Sequence, residues 1–256
     1  MSEKKSVLRA EDLGITFGGL KAVQGFNIDI HQGELVGLIG PNGAGKTTVF
    51  NLLTGVYQPT AGKIYLEDKE IHAKKPHQMV RHGVARTFQN IRLFKELSVL
   101  DNVKAAFNQN MKYTVAESIL RLGRYWKEEE EIDRKGRELL ALFDMEDLAD
   151  HTAANLPYGQ QRKLEIARAL ATQPKVLLLD EPAAGMNPTE TSELMEAIAL
   201  IRDKFGLSIL LIEHDMSLVM GICERLVVID YGQIIASGLP AEVAKNPKVV
   251  SAYLGD

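Results

Sequence analysis

The spacing of hydrophobic residues changes twice along this chain. In the N-terminal part, hydrophobic and polar positions alternate, as at Phe26, Ile28 and Ile30. A period of two places one face of a strand in a core and the other in solvent. The alternation predicts β structure over residues 6–39 and again over residues 62–67.

A helical pattern replaces this alternation from about residue 94 to residue 148. Charged residues dominate positions 127–133, and we interpret this run as the solvated face of a helix. The hydrophobic residues that follow have near-helical spacing: Leu139, Leu142, Phe143 and Met145. We predict a helical subdomain, inserted over about residues 94–160.

Short apolar runs alternate with amphipathic helices in the last third of the chain. The runs lie at residues 176–179, 209–212 and 226–229. Strands that alternate with helices favour a parallel sheet with crossover helices. We therefore predict a single α/β domain over residues 1–256. It has a mainly parallel sheet, an N-terminal antiparallel β subdomain and the inserted helical subdomain.

Composition narrows the class of protein. The chain has 256 residues, of which 45% are hydrophobic and 25% charged, and its net charge of −4 argues against a nucleic-acid partner. No run of about 18 apolar residues occurs, and the polar start has no signal-like core. We expect a cytoplasmic protein that reaches a membrane only through partners. The single cysteine, Cys223, is expected to be buried.

One segment has the spacing G-x-x-x-x-G-K-[ST] of a phosphate-binding loop. Its residues are Gly40, Pro41, Asn42, Gly43, Ala44, Gly45, Lys46, Thr47 and Thr48. A buried strand is predicted before it and a helix after it, so the helix dipole favours an anion there. Lys46 can reach the β- and γ-phosphates of a nucleotide, and the Thr47 hydroxyl can bind Mg²⁺. The segment predicts a P-loop NTPase core that binds a nucleoside triphosphate and Mg²⁺.

Polar residues follow two of the predicted buried strands. Asp180, after one strand, is placed to hold Mg²⁺ through water, and Glu181 could polarise an attacking water as general base. The alternative is a pair of turn carboxylates that begins a loop. His214 follows another strand, where its imidazole could bond the γ-phosphate. Alone, His214 would be interpreted as a surface histidine.

Two further residues are weaker candidates. Gln89 lies where the helical segment begins, and its amide oxygen could bind Mg²⁺ and report the nucleotide state to the helices. Phe17 lies upstream of the phosphate loop, and its ring could stack on adenine. A core aromatic on a β-strand is the alternative for Phe17.

Five blocks in this order resemble the ATPase subunit of an ABC (ATP-binding cassette) transporter. They are residues 40–48, Gln89, 156–160, 176–181 and His214. The resemblance implies a head-to-tail dimer with each ATP between one subunit's phosphate loop and the other's signature sequence. It also implies two transmembrane permease subunits. It assigns catalysis to Lys46, Gln89, Glu181 and His214, and contact with the partner's nucleotide to Tyr158, Gly159 and Gln160.

The chain departs from the family pattern at two places. The usual signature is Leu-Ser-Gly-Gly-Gln, whereas Pro157 and Tyr158 replace its serine and first glycine. Proline offers the partner's γ-phosphate neither a hydroxyl nor an N–H. Asn187 replaces the usual aspartate of the dimer-contact loop. We therefore expect a heterodimer with a second ATPase subunit of intact signature, while a homodimer remains open.

The cargo is suggested by a finer resemblance. Segments 83–94, 158–162, 181–185, 212–216 and 246–255 are most similar to ATP-binding subunits of branched-chain amino-acid importers. Such systems contain two ATPase subunits, two permease subunits and an extracytoplasmic solute-binding protein, so the chain is expected on the inner face of the cell membrane.

Other functions share parts of this pattern. Urea and short-amide importers and some lipopolysaccharide exporters have similar segments, so cargo and direction stay open. A soluble ABC ATPase serving another machine, such as an iron–sulfur assembly scaffold, is a second hypothesis. A nucleotide-binding regulator without turnover is a third, and Glu181 argues against it.

Overall fold

We describe the chain from a computed structural model. The structure describes residues 5–72, 74–107, 114–121 and 123–254. Within them, two β-sheets and a set of helices form the α/β architecture predicted from the sequence.

The smaller sheet contains four antiparallel strands in the order β2-β1-β4-β5. These strands are β1 (Ser6–Phe17), β2 (Leu20–His31), β4 (Ala61–Leu66) and β5 (Lys69–Glu70). Phe26, Ile28 and Ile30 are buried on β2, as their alternation predicts. The N-terminal antiparallel sheet is therefore confirmed.

The larger sheet contains six strands in the order β10-β9-β3-β8-β7-β6. They are β3 (Leu35–Ile39), β6 (Val84–Arg86), β7 (Val176–Asp180), β8 (Ser208–Ile212), β9 (Arg225–Asp230) and β10 (Gln233–Gly238). Five of them are parallel, and β10 pairs with β9 in antiparallel fashion at one edge. Every residue of β3, β7 and β8 is buried, which explains their continuous apolar runs.

Ten α-helices are described. They are α1 (Lys46–Leu53), α2 (Pro76–His82), α3 (Val99–Phe107), α4 (Val115–Ile119), α5 (Gly123–Ala141), α6 (Tyr158–Leu170), α7 (Pro188–Phe205), α8 (Met216–Ile222), α9 (Pro240–Val243) and α10 (Pro247–Leu254). Short 3-10 turns lie at Glu146–Leu148 and Ala153–Asn155.

The helical segment predicted for residues 94–148 begins later in the structure, with α3 at Val99. Phe94 is not helical, because the buried Asn102 side chain accepts from Phe94 N–H and donates to Phe94 O at 2.9 and 3.0 Å. These bonds satisfy the backbone in a loop. Helix α6 begins inside the predicted subdomain of residues 94–160 and continues past it, so that boundary stays a prediction.

The parallel sheet separates two hydrophobic clusters. Successive residues of one strand face opposite sides, so alternate positions belong to different clusters. One cluster, shared with the helices, contains Leu35, Ile39, Leu177, Leu179, Ile209 and Leu211. The other, shared with the antiparallel sheet, contains Val36, Leu38, Val176, Leu178, Leu210 and Ile212.

A two-pronged ion pair joins the two sheets. Arg225, at the start of β9, donates to the two carboxylate oxygens of Glu34 at 2.8 and 3.2 Å and to the Asp29 carbonyl of β2 at 2.6 Å. Burial raises the pKa of Glu34, but the bonds from Arg225 and from His31 N–H outweigh it and lower that pKa below its ordinary 4.5. The pair therefore stabilises the folded state while Glu34 is ionised.

We expect Glu34→Gln to reduce the free energy of unfolding by about 2 kcal/mol near neutral pH, because one partner of a charge-assisted pair is lost. The pKa of Glu34 is lower in the folded state, so its contribution is complete above the ordinary pKa and disappears as the pH falls through the folded pKa. Urea unfolding of wild type and variant, at about pH 7 and at steps below about pH 4.5, measures this difference.

The matched control is Glu138→Gln, because Glu138 pairs with Arg134 on an exposed helix face. Its expected cost is below about 1 kcal/mol. A constant difference between wild type and Glu34→Gln across the acid range would contradict the assignment.

Candidate functional site

The phosphate loop has a backbone that requires glycine. Gly40, Gly43 and Gly45 have φ angles of 152°, 80° and 106°. A Cβ atom on Gly40 would lie 2.0 Å from the Ile229 carbonyl oxygen, and one on Gly45 would lie 3.0 Å from that of Ala22. The loop is thus packed tightly between β9 and the start of β2.

The loop ends in helix α1 with unused donors. The first helical bond runs from Val49 N–H to Gly45 O at 2.9 Å. The amides of Gly45, Lys46, Thr47 and Thr48 precede that bond, so helix geometry leaves them without carbonyl partners in the helix. Such a group of amides at a helix N-terminus is an anion-binding site.

The Lys46 side chain lies inside the loop. Its ammonium donates to the carbonyl oxygens of Gly40 and Pro41 at 2.6 and 2.9 Å. Burial lowers the pKa of Lys46, and the nearby carboxylates of Glu181 and Asp180 partly oppose that effect. The positive charge and the carboxylates therefore share one electrostatic environment.

Asp180 and Glu181 lie at the carboxyl edge of the parallel sheet. Asp180 ends β7, and Glu181 follows with a positive φ of 46° and donates its N–H to Ile212 O, at the end of β8. Gln89 donates from its side-chain amide to a Glu181 carboxylate oxygen at 2.9 Å. The structure therefore brings together Gln89 and Glu181, which are far apart in sequence.

Arg86 contacts Asp180, and no sequence motif predicted a role for Arg86. Its guanidinium donates to Asp180 Oδ2 at 2.5 Å and to Asn51 Oδ1 at 2.6 Å. The contact exists because β6 lies beside β7 in the sheet. The available sequence signal was a charged residue directly after two apolar positions of a short strand.

His214 lies near the same edge, and 62% of its side chain is exposed. Before it, the buried Glu213 accepts from Ala183 N–H at 3.0 Å and from His214 N–H at 3.2 Å. Burial raises the pKa of Glu213, against the effect of these two amides. Glu213 thus ties the loop after Glu181 to the end of β8, and sequence reasoning missed it. The contact of His214 with a phosphate stays a prediction.

The predicted signature residues form the first turn of α6. Pro157 precedes the helix with φ and ψ of −52° and 153°, and Tyr158, which is exposed, begins it. Gly159 is buried where a Cβ would lie 3.0 Å from a carboxylate oxygen of Glu190, and Gln160 is half-buried. Their contact with a partner's nucleotide stays a prediction.

Side chains of helix α6 also bind the backbone of residues 88–92, which we call the Gln89 loop. The fully buried Arg162 donates to the carbonyls of Phe88 and Gln89, each at 2.6 Å, and to Glu165 at 2.7 Å. Glu165 accepts from Arg92 N–H at 3.1 Å, and Arg168 donates to the Arg92 carbonyl. Three α6 side chains therefore fix the backbone of the loop that contains Gln89.

Phe17 is not buried in the core, so the alternative to adenine stacking is wrong. Its exposed fraction is 44%, and its ring meets the Tyr57 ring edge-on with centroids 5.2 Å apart. Phe17 ends β1 and pairs with Leu20, close to Ala22, whose carbonyl borders the phosphate loop. Cys223, by contrast, is buried as expected, and burial raises its thiol pKa to about 12.

The oxygen atoms of three side chains near the loop are suitable ligands for a hard divalent cation. Thr47 offers a hydroxyl, Gln89 an amide oxygen and Asp180 a carboxylate, and oxygen ligands are those that Mg²⁺ prefers. No group of three or more His, Cys, Asp or Glu side chains that could hold a metal occurs within the described ranges.

A phosphate loop between a buried strand and a helix, with carboxylates at the same sheet edge, defines a P-loop NTPase. Residues 23–184 match the family model described as "ABC transporter". Residues 233–256 match the model described as "Branched-chain amino acid ATP-binding cassette transporter". The chain therefore belongs to the ABC transporter family, as an ATP-binding subunit.

Individual relatives agree. The chain is 46% identical to the high-affinity branched-chain amino acid transport ATP-binding protein LivG of Escherichia coli K12, over 98% of each chain. A nucleotide-free ATP-binding cassette superimposes with a TM-score of 0.84 at 34% identity, covering 98% of this chain and 100% of that one. A dimeric post-hydrolysis cassette, MJ0796 with ADP and Pi, shares the fold, with a TM-score of 0.76 at 22% identity and coverage of 91% and 98%. None of the described helices is long and apolar enough to span a membrane.

We expect Arg162→Met to cost about 3–5 kcal/mol of unfolding free energy, because it leaves the buried Glu165 carboxylate without its cation. Methionine keeps much of the volume, so the loss reports charge and hydrogen bonding. Urea unfolding measures the effect. Arg134→Met, in an exposed pair with Glu138, is the control and should cost less than about 1 kcal/mol. Equal losses in the two variants would contradict a structural role for Arg162.

Proposed function

We propose that this chain is the ATP-hydrolysing subunit of an importer for branched-chain amino acids. The observation that supports hydrolysis is the Gln89–Glu181 hydrogen bond at the sheet edge that also holds the phosphate loop. The observations that support this cargo are the match of residues 233–256 and the full-length likeness to LivG. The ATPase itself does not contact the cargo.

The residues divide the reaction among them. The amides of the loop and Lys46 bind the β- and γ-phosphates. Thr47, Asp180 and Gln89 would hold Mg²⁺, which would neutralise phosphate charge when bound. Glu181 orients and deprotonates the attacking water, while Gln89 fixes its carboxylate. His214 bonds the γ-phosphate, and its exposed imidazole can reach a substrate at the sheet edge. The exposed Phe17 ring stacks on adenine.

The partner ATPase completes each site in a head-to-tail dimer. The first turn of α6 presents Tyr158, Gly159 and Gln160, whose helix N-terminus favours the partner's γ-phosphate. Pro157 has no N–H to add, so this chain offers a weaker half-site than it receives. We therefore favour a heterodimer with a second ATPase subunit over a homodimer.

A groove between the Gln89 loop and the helices is the docking site for a permease subunit. It has a volume of 630 Å³, and its lining includes Arg92, Leu93, Phe94, Ala105 and Arg168. Exposed apolar surface flanked by arginines fits a short cytoplasmic segment with hydrophobic and acidic side chains. Docking there places the chain on the inner face of the membrane. The extracytoplasmic solute-binding protein acts through the permease.

We expect Glu181→Gln to lower ATP turnover by about 10²–10⁴-fold, because it removes the general base. Its nucleotide affinity should stay within a few-fold of wild type. Lys46→Ala is the contrasting variant and should weaken nucleotide binding by about 1.5–3 kcal/mol, because a charge-assisted bond is lost. Steady-state hydrolysis and equilibrium binding of a fluorescent ATP analogue measure the two effects. Unchanged hydrolysis in Glu181→Gln, or an affinity within about twofold in Lys46→Ala, would refute the respective role.

We expect Ala105→Glu to abolish association with the permease, because it puts a charge into the groove without removing core contacts. The tagged chain is purified from detergent-solubilised native membranes, and co-purifying proteins are identified. Wild type should bring two multi-span subunits and a second ATPase, and its loss from cells should reduce labelled leucine uptake.

Ala199→Glu is the matched control, because Ala199 is also half-buried on a helix but lies outside the groove. It should retain the partners, and both variants should bind nucleotide like wild type. Recovery of soluble partners alone would overturn the importer assignment in favour of a non-transport ATPase.

A further inference from the structure

Arg86 and Asp180 form a buried ion pair next to the phosphate loop. We propose that Arg86 is a positioning residue that orients the Asp180 carboxylate toward the Mg²⁺ of bound nucleotide. The proposal rests on the metal role that the proposed function gives to Asp180.

The sheet fixes the location of the pair. Arg86 is the last residue of β6 and lies opposite Leu178 of β7, and Thr87 N–H donates to the Leu178 carbonyl at 3.0 Å. Asp180 therefore ends the neighbouring strand two residues further on. The backbone positions of both partners are set by the ladder of hydrogen bonds and do not depend on their side chains.

The guanidinium is held by groups other than Asp180. Its second nitrogen donates to Asn51 Oδ1 at 2.6 Å, on the helix that follows the phosphate loop. The guanidinium carbon lies 5.4 Å from the Phe50 ring centroid and 5.0 Å from that of Phe88. Two rings and an amide oxygen thus hold the cation by contacts that do not involve Asp180.

The Arg86–Asp180 pair is almost completely shielded from solvent. The exposed side-chain fractions are 6% for Arg86 and 4% for Asp180, and Arg86 Nε is buried without a hydrogen-bond partner among the described residues. Burying a cation with an unsatisfied donor is costly, so hydrogen-bond satisfaction does not explain the arrangement. A role in orienting the Asp180 carboxylate would account for it.

Among the described residues, one oxygen of Asp180 has a hydrogen-bond partner and the other has none. Arg86 engages Oδ2 at 2.5 Å, and Oδ1 accepts no hydrogen bond from any residue that the structure describes. Oδ1 therefore stays available to a metal-bound water. Outer partners that orient a ligating carboxylate change metal affinity by about 10–100-fold when removed.

The test is a Mg²⁺ titration of the binding of a fluorescent ATP analogue. It uses the full chain in a Glu181→Gln background, so that nucleotide is not consumed. Arg86→Gln is expected to raise the Mg²⁺ concentration for half-maximal binding by about 10–100-fold, while binding without Mg²⁺ is unchanged. Arg86→Lys keeps the charge but loses the planar fork and should give an intermediate shift.

Coupling to Asp180 distinguishes positioning from a general structural effect. In an Asp180→Asn background, Arg86→Gln should change the Mg²⁺ midpoint by less than about twofold, because its target is already lost. The control is Arg9→Gln, since Arg9 also stacks on a ring, that of Tyr65 at 4.6 Å, and also pairs with a carboxylate, that of Glu11. Its midpoint should equal that of the parent.

The possible outcomes are distinct. An unchanged midpoint in Arg86→Gln, or a further loss on top of Asp180→Asn, overturns the proposal. A lowered midpoint also overturns it, because it would show that Arg86 competes with the metal. If Asp180→Asn alone leaves the midpoint unchanged, the metal role of Asp180 in the proposed function fails, and the positioning role of Arg86 fails with it. Thermal unfolding checks each variant, and if Arg86→Gln does not fold, an unchanged midpoint in Arg86→Lys overturns the proposal.

Discussion

Parallel pairing of β3, β7 and β8 is the constraint on which the ATP site depends. Parallel strands bring their carboxyl ends to one edge, so the phosphate loop after β3, the carboxylates at the end of β7 and the segment after β8 meet there. Because these strands are buried on both faces, a slip in register would disrupt the packing of the clusters on both sides of the sheet. The stability of the sheet therefore sets the precision of the site.

Around this edge, buried polar contacts join segments that would otherwise be independent loops. Glu213 connects the segment after β7 to the end of β8. Arg162 connects helix α6 to the Gln89 loop. The same helix begins with the residues that we propose to face a partner subunit, and it passes beside the groove proposed for the permease. A rotation of α6 would therefore move the backbone of Gln89 with it, which is a physical route between nucleotide and transport.

Much of this organisation follows from local sequence, and some of it does not. The phosphate loop was predictable because its glycines and Lys46 are contiguous, and the β3, β7 and β8 strands were predictable from unbroken apolar runs. The loop before α3 was not, because Asn102 replaces helical hydrogen bonds with side-chain bonds that no periodicity reveals. The exposure of Phe17 was also not predictable, because the spacing of hydrophobic residues is the same for an aromatic side chain in the core and for one at the edge of the sheet.

The sequence by itself determined the class of chemistry. A contiguous loop with Lys46, and acidic residues directly after an apolar run, specify phosphate binding through spacing that local backbone geometry enforces. Only the tertiary structure decided which distant groups contact these residues. Arg86 bonds Asp180, Gln89 bonds Glu181, and side chains of α6 bond the Gln89 loop. These contacts depend on strand order and helix packing. Both are set by burial of the whole core, so no short segment of sequence encodes them.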